Sequence, residues 1–213
     1  MSVCRVSALA ILLSLSAASA EEDFKPESGF RMLFDGSSFD GWDGDQTVFR
    51  TEQHSIVGGR LKEKIPHNFF LAHSDTFADF DLRLQFKLIG DATNAGIQIR
   101  SERIPDHHEM IGYQADLGQS YWGCLYDESR RRKVLAGPDA EQLGQVLKKG
   151  DWNDYRILCE GPRIRLYIND LLTVDYTESE QDIPLKGKIA VQIHGGPAGE
   201  AWYRHIRIQE LGK

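Results

Sequence analysis

Phe80-Asp81-Leu82-Arg83-Leu84-Gln85-Phe86-Lys87-Leu88 alternates apolar and polar side chains over nine residues. A period of two sends successive side chains to opposite faces of a strand, so this stretch reads as a strand with one face in a core and one in water. Ile164, Leu166 and Ile168 alternate with Arg163, Arg165 and Tyr167 in the same way. That segment breaks at the turn signal Asn169-Asp170 and resumes from Leu171 to Tyr176. Tyr203 to Ile208 is strand-like again, and turn signals stand at Asp35-Gly36, Gly58-Gly59, Gly90-Asp91, Gly161-Pro162 and Gly195-Gly196-Pro197. Many short strands at this spacing predict an all-β sandwich or barrel. Helical pattern is confined to Pro138–Lys149, with Asp139 near its start and Gly150 just past its end.

Working outward, the chain begins with a segment of different character. Arg5 precedes the short apolar run from Val6 to Leu15, and Ala18-Ser19-Ala20 forms a small-x-small site. This is the pattern of a secretory leader over residues 1–20, and the apolar run is shorter than the roughly 20 residues a membrane helix needs. The expectation is export to the periplasm or the extracellular space as a soluble product with no membrane span. The 193 residues that follow suit one domain, over residues 24–213, with no linker, repeat or low-complexity tract. They carry 24 basic and 32 acidic side chains, a net charge of −8. That sign disfavours a nucleic-acid partner, and the basic run Arg130-Arg131-Arg132-Lys133 is short enough to be a solvated loop. After the leader only Cys124 and Cys159 remain. No CxxC pair exists, so a zinc knuckle is excluded, and the two thiols are open to a disulfide or to separate burial.

Three strands carry an unusual polar face. In Ala95–Ser101, Ile97 and Ile99 point to the core, so Gln98 and Arg100 point away. In Gly112–Leu117, Tyr113, Ala115 and Leu117 are core positions, and Gln114 and Asp116 share the other face. In Ile189–Gly195, Ile189, Val191 and Ile193 are core, leaving Gln192 and His194 outward. Amides, a guanidinium, a carboxylate and an imidazole are groups that pair with vicinal hydroxyls, so the face is read as a site for an oligosaccharide or glycoside. Trp122 and Tyr126, with Cys124 between them, are expected on one face as an aromatic wall, and Gly123 permits close approach of a ligand. His107-His108-Glu109 follows Pro105-Asp106 in a loop that reaches over the face or stays solvated. His54, His67, His73 and His205 are read as structural or exposed.

Five segments resemble a known family: Met32-Leu33-Phe34-Asp35-Gly36 through Gly41-Trp42, Asn94–Ser101, Gly112–Asp116, Trp152-Asn153-Asp154-Tyr155-Arg156, and Gly187–Gly196. In order and extent they resemble the 3-keto-disaccharide hydrolase domain. The resemblance implies a two-sheet antiparallel jelly-roll sandwich of the concanavalin A type, with the polar face on its concave sheet. It also implies action on glycosides already oxidised at the sugar 3-position.

A ketone at C3 acidifies the proton on C2. A base removes it, the enolate expels the group on C1, and water can add back. Ordinary glycosidases instead flank the bond with two carboxyls roughly 5–9.5 Å apart. His194 is the expected base, Asp116 its orienter or an alternative base, and Arg100 the stabiliser of the enolate oxygen. Gln98, Gln114 and Gln192 would hold hydroxyls, Trp122 and Tyr126 would stack, and Asp127 would join the binding set, Asp127 or Glu128 also offering a second acid. No resident metal or other cofactor is expected. A divalent cation in place of Arg100, on Asp116, His194 and His107 or His108, is the alternative electrophile. A non-catalytic, lectin-like carbohydrate-binding module of the same fold is the competing function.

Overall fold

The strands predicted from alternation are present, and their apolar side chains meet in one core between two antiparallel sheets. The computed structural model describes residues 24–212; the leader read over residues 1–20 lies outside them. In chain order the elements are β1 (Arg31–Met32), β2 (Trp42–Asp43), β3 (Phe49–Glu52), β4 (Ser55–Arg60), β5 (Phe69–Phe77), β6 (Phe80–Ile89), β7 (Asn94–Arg103), β8 (Met110–Gly118), β9 (Leu125–Glu128), β10 (Val134–Ala136), α1 (Ala140–Val146), β11 (Asn153–Glu160), β12 (Arg163–Ile168), β13 (Leu171–Thr177), β14 (Gly187–Ile193) and β15 (Gly199–Glu210). One sheet runs β13-β12-β11-β6-β15-β4-β3, with β1 also on β15; the other runs β10-β9-β8-β7-β14-β5-β2. Non-consecutive neighbours such as β7 and β14 mark a jelly-roll-like winding rather than a meander.

The opening stretch of the argument, now β6, sits at the middle of the first sheet between β11 and β15. Phe80, Leu82, Leu84, Phe86 and Leu88 are all buried in the core. Each such side chain contributes about 1.5–3 kcal/mol through apolar burial. From the opposite sheet, Ile97, Ile99, Tyr113, Ala115, Leu117, Val191 and Ile193 complete the same core. The inward residues of the three site-bearing strands therefore lie where alternation put them.

Helix α1 is held at its start by Asp139, whose carboxylate accepts from the backbone N–H groups of Glu141 (3.0 Å) and Gln142 (2.9 Å). That side chain satisfies two of the amides a helix start leaves unpaired. Cys124 and Cys159 are both free and buried. Burial pushes their thiols up to about 11 and about 12, so neither is a nucleophile at neutral pH. Among the described residues no helix is long and apolar enough to cross a membrane.

Candidate functional site

The site is built on the outer face of the second sheet, where β8, β7 and β14 are successive neighbours. Two rows of paired residues cross it. In one, Gln114 faces Gln98 and Gln98 faces Ala190. In the next, Asp116 faces Gly96 and Gly96 faces Gln192. Gly96 has no side chain, and Gln114 lies over it: a Cβ there would come within 2.7 Å of two Gln114 side-chain carbons. The glycine is thus needed for close approach, and it lets the Gln114 side chain lie over the Gly96 position of the second row.

Gln98 donates to Gln114 Oε1 at 2.6 Å and accepts from the Ser101 hydroxyl at 2.6 Å. Gln114 in turn donates to Asp116 Oδ1 at 3.3 Å, and the Leu117 N–H donates to the same oxygen at 3.0 Å. This leaves Asp116 Oδ2 outside the network among the described residues. Asp116 is 4% exposed. Loss of water around it pushes its carboxyl up to about 8, against the opposing pull of the Leu117 N–H and Gln114. Gln192 is fully buried, and among the described residues neither its amide oxygen nor its nitrogen has a hydrogen-bond partner. Such a group costs free energy until something pairs with it.

The β9 strand extends this face. Tyr126 stands opposite Gln114 and Glu128 opposite Gly112. Tyr126 is half-buried and meets Tyr121 edge-on at 6.2 Å. Burial, reinforced by the Glu109 carboxylate, pushes Glu128 up to about 7. Glu109 ends the β7–β8 hairpin loop and reaches across β14 to the start of β5. There Asn68 Nδ2 donates to both of its oxygens, at 3.0 and 3.2 Å. Met110, just beyond, is buried with Phe70, Ala72 and Ala190 on the same face. The loop histidines accompany it: His108 lies 4.3 Å from His67 and 4.4 Å from His107, ring to ring.

His194 follows β14 and is exposed. Its backbone N–H donates to Asn94 O at 3.0 Å, and the next N–H, of Gly195, donates to Asn68 Oδ1 at 2.9 Å. Its Nδ1 lies 2.6 Å from Gly195 O. A carbonyl can only accept, so that contact places a proton on Nδ1, and in the neutral tautomer Nε2 then carries the lone pair. Among the described residues no hydrogen bond joins His194 to Asp116.

Three expected members lie elsewhere. Arg100 leaves the face because the β7 ladder bulges there. Its φ is +47°, and the register shifts between Ile99 and Glu102. The extra residue inverts the parity that alternation assumed. The buried guanidinium instead donates to Ala78 O (2.8 Å), Gly161 O (2.7 Å) and Asp79 Oδ1 (2.9 Å), tying the β5–β6 turn to the β11–β12 turn. Asp127 faces inward opposite Tyr113. It is fully buried between Arg130 and Arg131, and Arg131 continues to Glu178, which accepts the Tyr113 hydroxyl at 2.6 Å. Trp122 stands in the turn before β9, not in a strand with Tyr126. Its ring packs 6.2 Å from the core residue Phe86.

The structure thus brings Gln98, Gln114, Asp116, Gln192 and Tyr126 onto one face, with His194 past the end of β14. Sequence reasoning gave Glu128 only as a second acid and Glu109 only as part of a loop that reaches over the face or stays solvated, and it missed Asn68 as part of the site. Among the described residues no group of three or more His, Cys, Asp or Glu side chains is placed to hold a metal ion.

The fold recurs in solved structures. A "putative glycosyl hydrolase" of Parabacteroides distasonis superposes with a TM-score of 0.65 at 19% identity, covering 86% of this chain and 95% of that one. A carbohydrate-binding module from Bacillus subtilis gives 0.62 at 14% identity over 80% and 96%. A Bacillus subtilis protein with a galectin-like fold gives 0.62 at 15% over 81% and 90%. At these identities the likeness establishes the sandwich alone. No curated protein matches the sequence. The family model for the 3-keto-alpha-glucoside-1,2-lyase-like domain matches residues 29–209, nearly the whole described chain. The chain belongs to that carbohydrate-related family.

Proposed function

We propose that the protein cleaves glycosides that carry a ketone at the sugar 3-position, by removing the C2 proton and expelling the C1 group. The observation that carries this reading is the pairing, across one glycine, of a buried carboxyl pushed up to about 8 with a buried amide that has no partner. A neutral carboxyl at pH 7 is a donor, and an unpaired amide is one donor and one acceptor. Together they suit a ketone flanked by hydroxyls.

In this reading His194 Nε2 takes the C2 proton, with Nδ1–H held by Gly195 O. Asp116 donates from Oδ2 to the ketone oxygen as negative charge builds on it, the role first expected of Arg100. The electrons of the C2–H bond form the enolate and then the C1–C2 double bond as the C1–O bond breaks. Glu128 protonates the departing oxygen. Elimination ends there, and hydrolysis follows if water adds. Gln98, Gln114 and Gln192 bind hydroxyls, and Tyr126 borders the ring.

A carbohydrate-binding module without chemistry is the second reading, favoured by the lack of any bond between His194 and Asp116. Turnover of matched 3-keto and parent glycosides separates the two. The proposal expects cleavage of the 3-keto substrate alone, with His194→Ala and Asp116→Ala each costing roughly 10²–10⁴ in rate. Equal turnover of both indicates ordinary glycoside hydrolysis. Binding without turnover of either, preserved in His194→Asn, indicates the module.

A further inference from the structure

Trp122 does not border the polar face, yet it is the wall of two adjoining hollows at one end of the sandwich. One, of about 460 Å³, is lined by Trp122 with Gly90, Asp91, Thr93, Gln119 and Lys149. The other, of about 270 Å³, shares Trp122, Gln119 and Lys149 and backs onto Leu143 of α1. The first falls within the roughly 300–1,000 Å³ of small-molecule sites.

Both sides of this end are braced. Gly123 packs so closely on the other sheet that a Cβ would lie 3.1 Å from Thr173 and 3.2 Å from Ile168. Opposite, the buried Asn153 accepts from Lys148 N (2.8 Å) and donates to Lys148 O (2.8 Å) and Asp151 O (2.9 Å). It fixes the turn that presents Lys149 and Gly150. Its Oδ1 also accepts from Asn169 Nδ2 at 2.7 Å, which ties this turn to the β12–β13 turn. Thr93 is spent on Ile89 O at 2.8 Å, but three other rim groups keep bonding capacity among the described residues. Gln119 uses its Nε2 on Ala92 O (2.9 Å) and keeps Oε1, while Asp91 and Lys149 make no ion pair among the described residues. A half-buried indole face beside an amide, a carboxylate and an ammonium suits a neutral polyhydroxylated ring: the apolar C–H face stacks, and the hydroxyls reach both charges.

The backbone and the Tyr121 ring tie this end to the polar face. The Asp116 N–H donates to Cys124 O at 2.9 Å, and the Gly123 N–H donates back to Asp116 O at 3.0 Å. Tyr121, on the other side of Trp122, meets Tyr126 of the face. We infer that the Trp122 hollow is a second carbohydrate subsite, which takes the neighbouring sugar ring of a ligand whose first ring lies over Asp116 and Gln192. The inference rests on the reading of that face as the site of the 3-keto ring.

The test is calorimetric titration of the Asp116→Asn chain, in which turnover does not intervene, with methyl 3-keto-α-glucoside and with a glucose disaccharide oxidised at one 3-position. The disaccharide should bind about tenfold tighter than the methyl glycoside. Trp122→Phe and Lys149→Ala should each reduce that ratio about fivefold or more. Lys149 is exposed, so its variant keeps the test open even if Trp122→Phe loosens the core at Phe86. Equal binding of the two ligands, or an unchanged ratio in both variants, overturns the subsite and leaves the first-ring reading intact. Failure of the chain to bind either ligand overturns both.

Discussion

Gln192 lies directly across β7's Gly96 from Asp116, and it is a fully buried amide with neither hydrogen-bonding atom partnered among the described residues. A buried amide in that position costs free energy that its described protein neighbours do not return. A protein free to optimise stability alone would place an aliphatic residue there. The arrangement is the stability–function conflict expected of a binding position.

Gln192→Leu tests it. Removing the two unpaired polar atoms while keeping the volume should stabilise the ligand-free protein by about 1–3 kcal/mol, a rise in Tm of a few degrees. The same substitution should weaken glycoside binding by about tenfold or more. Thermal unfolding and ligand titration on the one variant are sufficient. A destabilised Gln192→Leu would mean the amide has structural partners in the folded protein.

Asp116 makes a pH-dependent contribution of definite sign. Its carboxyl keeps its proton in the folded state up to about 8, whereas an unfolded Asp loses it near 4. Between those limits the folded state binds more protons than the unfolded one, so stability falls as pH rises. Glu128, pushed up to about 7, acts in the same direction over a narrower range. Asp116→Asn should therefore match the parent near pH 4 and exceed it increasingly toward pH 8, by on the order of 2–5 kcal/mol. Urea unfolding at several pH values reads this directly, and a difference that stays constant with pH would refute it. In the parent protein, turnover should decline as pH rises through about 8, where the donor is lost.

Arg100 should behave as a structural residue. Its guanidinium is fully buried, holds the carbonyls of Ala78 and Gly161, and pairs with Asp79. Arg100→Met leaves those acceptors unpaired and should cost about 3–5 kcal/mol. Turnover per folded molecule should change by less than about threefold, because the group does not face the ligand. Loss of turnover in a variant that retains its stability would return Arg100 to the site.

The sequence carried the fold because the core strands obey a single rule along their length. Phe80 to Leu88 alternates without interruption, and every apolar member is in the core. The same rule located Gln98, Gln114, Asp116 and Gln192, whose strands prove to be neighbours. It failed at Arg100, two residues after Gln98, because a bulge with a left-handed residue changes parity and leaves no mark in composition. It failed at Trp122 because the residue belongs to a turn. It misplaced Asp127 because the β8–β9 pairing, invisible in one chain, sets it against Tyr113. Asn68 was illegible for a different reason, and Glu109 was legible only as part of a loop that reaches over the face or stays solvated. Their contact joins residues 41 positions apart, and it exists only because β14 inserts between β7 and β5.

The central claim concerns a proton on carbon. A 3-keto-glycoside labelled with deuterium at C2, supplied beside its unoxidised parent carrying the same label, tests it most directly. Product analysis by NMR or mass spectrometry should find the 3-keto substrate cleaved with loss or solvent exchange of the C2 deuterium, and with slower turnover than the unlabelled compound. The parent should be recovered whole. Cleavage of both with the C2 deuterium retained would contradict the account.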